Sequence, residues 1–173
     1  MTPEQLTEFL ETLNSPSPAV RVEAADRLCR LGPDARPAAV ALVQACGDEH
    51  DEVRELAGAA LEGIGAPGES DVPTLAEMVA HEHDEVAYWA ITLLGRCGAA
   101  AAAAIEPLAR ELVGQAIVAR KQRAAWALGE IGPAAAVAVP RLQSASKSDN
   151  PRLARLATRA IETIRRNGDA GDS

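Results

Sequence analysis

The sequence predicts an all-α fold: a right-handed α-solenoid of about four and a half helical hairpins, closed at its start by a capping helix. Three observations carry this. One pattern recurs along the chain, as PAVRVEAADRLCRLG (18–32), DEVRELAGAALEGIG (51–65), DEVAYWAITLLGRCG (84–98), VARKQRAAWALGEIG (118–132) and PRLARLATRAIETIR (151–165). The closing glycines Gly32, Gly65, Gly98 and Gly132 are spaced 33, 33 and 34 residues apart, a period that marks stacked repeats. Hydrophobic residues make up 47% of the chain but aromatics only 2%, so its interior must be built from aliphatic and small side chains. Alanine dominates among these; it is the best helix former and lets helices approach closely.

The elements follow in order. Thr2 suits a helix N-cap, Pro3 the first helical position, and Gln5 the far corner of a capping box. Leu6, Phe9, Leu10 and Leu13 then share one face, as a helix covering the open end of a repeat array requires. Each repeat opens with a helix carrying one apolar stripe. Its positions are Val20/Val53/Val86, Ala24/Ala57/Ala90/Ala124/Ala157, Leu28/Leu61/Leu94/Leu128/Ile161 and Leu31/Ile64/Cys97/Ile131/Ile164. The glycine that follows suits a left-handed C-cap. A second helix is anchored by Leu42, Leu75, Leu108 and Leu142, with Pro37, Pro73, Pro107 and Pro140 in or near its first turn. The alanine-rich run 98–104 reads as inter-helix loop leading into helix. The expected organisation is one repeat domain over 1–168. It comprises a cap helix (1–15), repeats at 16–48, 49–81, 82–115 and 116–149, a half repeat at 150–168, and a disordered tail at 169–173.

Several function classes are disfavoured. No apolar run reaches the roughly 18 residues of a membrane span. The opening TPEQLTEFLETL carries acids where a secretory signal needs basic and then apolar residues, so a soluble, cytoplasmic protein is expected. Cys29, Cys46 and Cys97 form no CxxC, and reduced thiols are expected. The net charge of −8 argues against a nucleic-acid surface spread over the whole chain. No glycine-rich phosphate loop and no nucleophile motif occurs. The near-identical segments around His50 and His83, each flanked by acids, fall at helix starts. Capping is the expected role there, and a weak cation site the alternative.

The repeats resemble the short HEAT-like repeat of the phycobilisome-lyase type. The resemblance rests on Val20-Arg21, Ala24-Ala25, Leu28 and Leu31-Gly32; on Val53-Arg54, Ala57, Ala60-Leu61 and Ile64-Gly65; and on Ala124-Ala125, Ala127-Leu128, Ile131-Gly132 and Val139-Pro140-Arg141-Leu142. The third repeat departs from it, with Ala87 at the arginine position and the aromatics Tyr88-Trp89 beside it. The resemblance implies a non-catalytic interaction scaffold for a protein or peptide, with a bilin (tetrapyrrole) lyase subunit-like protein or another enzyme-associated subunit as the alternative. HEAT-like deoxyhypusine hydroxylases hold iron through His-Glu pairs. The corresponding positions here are Val22-Glu23, Glu55-Leu56, Tyr88-Trp89 and Gln122-Arg123, so no metal or other cofactor is expected.

The resemblance also implies that second helices line a concave binding face. The repeat register places three sets of residues outward there: Ala41/Thr74/Pro107/Arg141, Gln44/Glu77/Arg110/Ser144 and Ala45/Met78/Glu111/Ala145. The candidate partner-binding residues are therefore Gln44, Thr74, Glu77, Met78, Arg110, Glu111, Arg141 and Ser144. Tyr88 joins them as an exposed aromatic, and Trp89 is expected to fill a gap between repeats. Residues 1–86 hold 5 Lys and Arg against 18 Asp and Glu, a net −13, whereas residues 87–173 hold 12 against 7, a net +5. Arg152 and Arg155 sharpen the basic half and are candidates for an acidic partner. A monomer is expected, with weak head-to-tail association of the acidic and basic halves as the other outcome.

Overall fold

The computed structural model describes residues 1–169, and side chains as far as Arg166. Of the tail expected at 169–173, Asp169 closes the last helix and 170–173 lie outside the described residues. Among the described residues there is no strand. The chain divides into two compact units, Met1–Asp71 and the part from Val72 onward. The division falls inside the 49–81 repeat, between its two helices.

The first unit holds α1 (Pro3–Leu13), α2 (Pro18–Leu31), α3 (Ala39–Ala45) and α4 (Asp51–Gly63). The capping box of α1 is formed: Thr2 N–H donates to Gln5 Oε1 at 2.8 Å and Gln5 N–H to Thr2 Oγ1 at 3.2 Å. α1 lies against α2 and buries Phe9 and Leu13, but Leu10, Val20 and Leu31 stay exposed. The expected stripe is thus buried throughout in the 51–65 repeat, buried except for half-buried Cys97 in the 84–98 repeat, and incomplete in the first. Arg21 is buried at the base of α2. Its Nε and Nη2 donate to Asp48 at 2.7 and 2.9 Å, and its Nη1 donates to the Ser15 carbonyl at 2.9 Å.

The second unit holds α5 (Val72–Met78), α6 (Asp84–Cys97), α7 (Ile105–Val113), α8 (Val118–Ile131), α9 (Val139–Ala145) and α10 (Pro151–Asp169). The first helices α6, α8 and α10 pack side by side in one row; the second helices α5, α7 and α9 form another. The core between them is Trp89, Ala90, Leu94, Leu108, Ala124, Leu128, Leu142, Ala157 and their neighbours. The stretch Asp84–Val113 is long and apolar enough on average to match a membrane span by length and composition alone, although Arg96 and Glu106 interrupt its apolar runs. It is divided by Gly98 at φ 56° into α6 and α7, and much of it is buried within the fold.

The linkers differ from the sequence reading in kind. Gly32–Ala38, Gly98–Ala104 and Gly132–Ala138 are 3₁₀ helices, not loops, and Pro37 belongs to the first of them. The glycines that precede them have positive φ, as a C-cap requires, but ψ between −126° and −142° at Gly32, Gly98 and Gly132. That is a conformation open to glycine rather than the left-handed helical cap expected.

Arg120 is the least expected core residue. It stands in α8 at the register of Val20, Val53 and Val86, and is 8% exposed. Its five N–H donors all find acceptors. Nε and Nη2 clasp Glu111 at 2.9 and 3.0 Å, Nη2 also reaches the Val79 carbonyl at 3.0 Å, and Nη1 reaches Asp84 at 3.0 Å and the His81 carbonyl at 3.3 Å. One guanidinium thus ties α8 to α7 and to the turn that starts α6. A buried charge is tolerated only with such complete pairing.

Two carboxyls make acid stability predictable. Partial burial pushes Asp48 up, but the hydrogen bonds and charge of Arg21, with the His50 N–H and its side-chain charge, outweigh that and hold it below the ordinary range. Hydrogen bonds from Arg141 and then Arg110 hold Glu106 below its ordinary value, against a smaller effect of burial. Both are thus more acidic folded than unfolded. Their stabilising contribution is complete above about pH 4.5 and is lost as pH falls through the folded-state values. The denaturant midpoint should therefore fall below about pH 4.5, less steeply in Asp48→Asn with Glu106→Gln. A midpoint that holds or rises down to about pH 3 would contradict this.

Candidate functional site

The solvent side of the first-helix row in the second unit carries a groove of about 250 Å³, lined by Tyr88, Ala119, Gln122, Arg123, Trp126, Arg152 and Leu156. α6 supplies Tyr88, α8 the residues from Ala119 to Trp126, and α10 the last two. The guanidinium carbon of Arg123 lies 4.9 Å from the Tyr88 ring centroid and 5.3 Å from that of Trp126. Arg123 Nη2 also donates to the Tyr88 hydroxyl. Tyr88 meets buried Trp89 edge to face, with centroids 5.8 Å apart and planes at 88°. Arg123 thus lies over both rings, with modest but cumulative cation–π attraction.

The position of Trp126 depends on a residue with no side chain. A Cβ on Gly95 of α6 would lie 2.4 Å from Trp126 Cζ3, so the ring occupies the space that glycine leaves. Gly129 does the same one repeat later: a Cβ there would meet the Ala160 backbone of α10 at 3.1 Å. The floor of the groove is fixed from α10 as well. Asn150 Oδ1 accepts from Leu153 N–H, capping that helix, and from Gln122 Nε2, both at 3.0 Å. Arg152 projects from the exposed first turn beside it.

The structure therefore brings Tyr88 and Arg152 into one site, and adds Gln122, Arg123 and Trp126. Arg155 lies exposed on the same helix, in a neighbouring depression with Thr158, Arg159, Glu162, Thr163 and Arg166. The second-helix candidates are elsewhere. Thr74, Glu77, Arg110 and Ser144 are exposed on α5, α7 and α9, and Gln44 is exposed on α3 in the first unit. Arg141 is half-buried and grips Glu106 at 2.8 and 3.2 Å, with Arg110 on the same carboxylate at 3.1 Å.

Met78 and Glu111 correct the register reading. Both are buried, as are Ala45 and Ala145 of the same set. These positions lie three residues beyond the anchors Leu42, Leu75, Leu108 and Leu142. They therefore share the anchors' inward face and do not point outward. Glu111 is tolerated there because Arg120 pairs with it.

His50 and His83 precede α4 and α6 as N-cap residues without side-chain capping bonds. The His50 N–H donates to Asp48 Oδ1 at 2.8 Å, and the His83 N–H to His81 Nδ1 at 3.1 Å. Among the described residues no group of three or more His, Cys, Asp or Glu is placed to hold a metal ion.

Two rows of short helices in a repeated hairpin unit define an all-α helical-repeat protein. The family model for HEAT repeats matches residues 5–95, just over half of the chain, and the chain belongs to that family. No curated protein sequence matches it. Its fold is similar to that of a designed armadillo repeat protein in complex with the peptide (KR)4. That likeness has a TM-score of 0.66 at 17% identity and covers 93% of this chain and 82% of that one. An engineered protein is similar with a TM-score of 0.65 at 20% identity, over 95% of this chain and 80% of that one. The complex of CpcE and CpcF of phycocyanin lyase from Nostoc sp. PCC7120 is similar with a TM-score of 0.65 at 23% identity, over 99% of this chain and 68% of that one. At these identities the likeness is one of fold.

Proposed function

We propose that the chain is a non-catalytic scaffold that binds a protein or peptide partner through the Tyr88–Arg123–Trp126–Arg152 groove. One observation carries this. In a chain with 2% aromatic residues, a tyrosine, a tryptophan and two arginines from three successive first helices converge on one partly exposed groove. Tyrosine, tryptophan and arginine are the residues that dominate protein interface energetics. The groove lies on the first helices, so this reading moves the binding surface away from the second-helix face that the sequence favours. The designed armadillo protein with its bound peptide supports the general use of such a fold, though not this surface.

Selection from a random peptide display library tests the proposal. The intact protein should enrich a recognisable set of peptides. Tyr88→Ala should weaken their binding about tenfold or more, as loss of an interface anchor does, with the circular dichroism spectrum unchanged. No enrichment, or equal binding by Tyr88→Ala, would overturn it.

A further inference from the structure

We infer that the groove takes a short extended acidic segment, its carboxylates meeting Arg152 and the arginines beyond it on α10; this rests on the peptide-binding reading above. The first observation is where pairing stops. Arg21, Arg27, Arg30, Arg54, Arg110, Arg120 and Arg141 each have a carboxylate partner within the fold. Among the described residues, Arg36 in the first unit and Arg152, Arg155 and Arg159 of α10 have none, the last three clustered on one helix, and Arg123 bonds to a phenol rather than an acid. The residues lining the groove include no carboxylate, and the depression beside it holds four-residue-spaced Arg155 and Arg159 against the single acid Glu162. A chain of net charge −8 thus presents a locally positive strip. A guanidinium with free N–H edges matches a carboxylate bidentately.

The second observation is size. The groove crosses α6, α8 and α10, two interhelical steps of about 8–10 Å each. An extended strand covers that span in roughly six residues at about 3.3 Å per residue. Leu156 and Trp126 line both this groove and the small depression that holds Arg159, and offer an apolar contact beside the arginines, so an aliphatic side chain among acidic ones fits the strip. A nucleic acid fits it less well. Arg123 already covers a face of both Tyr88 and Trp126, and stacked bases would have to displace it, whereas a carboxylate approaches the guanidinium edges directly.

The peptides enriched by display carry the test. They should be rich in Asp and Glu. Replacing those acids by Asn and Gln should weaken binding about tenfold or more, as should Arg152→Glu with Arg155→Glu, two exposed changes that leave helicity intact. Binding should also weaken with salt, as screening shortens from about 10 Å at 0.1 M to about 3 Å at 1 M. A library that enriches nothing sinks the peptide-binding reading itself. Enriched peptides that are neutral, or that bind equally well as their amide versions, sink only the acidic assignment. Tighter binding of a single-stranded oligonucleotide than of the acidic peptides, lost in the same double variant, would replace the peptide by nucleic acid.

Discussion

Replacing Arg120 with methionine is expected to cost about 3–5 kcal/mol of stability, the usual consequence of leaving a buried charge without its partner. Glu111 is only 8% exposed and has both carboxylate oxygens on Arg120. The same substitution strips the donors from the carbonyls of Val79 and His81. Arg120→Lys should fail to rescue, because one ammonium cannot supply the fork that reaches Glu111, Asp84 and two carbonyls together. Arg120→Met with Glu111→Leu should recover most of the loss, since the equivalent positions Val53, Val86 and Leu153, and Ala45, Met78 and Ala145, are all buried and apolar or small. Urea denaturation of the three variants measures this. A loss below about 1 kcal/mol in Arg120→Met would show that the pair does not hold α7, α8 and the start of α6 together.

Gly95→Ala should cost about 1–3 kcal/mol, the usual range for overpacking, and should also abolish binding. The added methyl would stand 2.4 Å from a Trp126 ring carbon, closer than any unstrained contact, so the ring must leave. Its departure removes one of the two rings that Arg123 covers and opens the groove between α6 and α8. The tryptophan emission should shift to the red, and the enriched peptides should no longer bind. In a Trp126→Ala background, which already lacks the ring, Gly95→Ala should cost little further stability while binding stays lost, which separates packing from recognition. Unchanged stability and emission in Gly95→Ala would mean that Trp126 is not seated on α6 through this glycine.

The helix starts and the first-helix stripe were legible in the sequence because they depend on local chemistry. Thr2 and Gln5 sit three apart whatever surrounds them, and Ala24, Leu28 and their equivalents repeat at helical spacing. The second helices were less legible. Three of them, α3, α7 and α9, are entered through 3₁₀ segments rich in alanine, proline and glycine, which periodicity does not distinguish from loop. Met78 and Glu111 were misplaced because counting repeats gives equivalent positions, not directions; their distance of three from an anchoring leucine shows the direction. Within the groove, Tyr88 and Arg152 stood out by exposure and charge alone. Arg123 and Trp126 did not, since their role arises only when α6, α8 and α10 lie side by side with Gly95 between them. Arg120 left a signal that could have been read: an arginine in a valine register demands a buried acid within reach.

Nitrogen-15 chemical-shift mapping of an enriched peptide onto the intact protein tests the central claim most directly. The account predicts shifts at Tyr88, Gln122, Arg123, the Trp126 indole and Arg152, with Thr74, Glu77, Arg110 and Ser144 unmoved. Shifts confined to those second-helix residues, with the Trp126 indole unchanged, would contradict it.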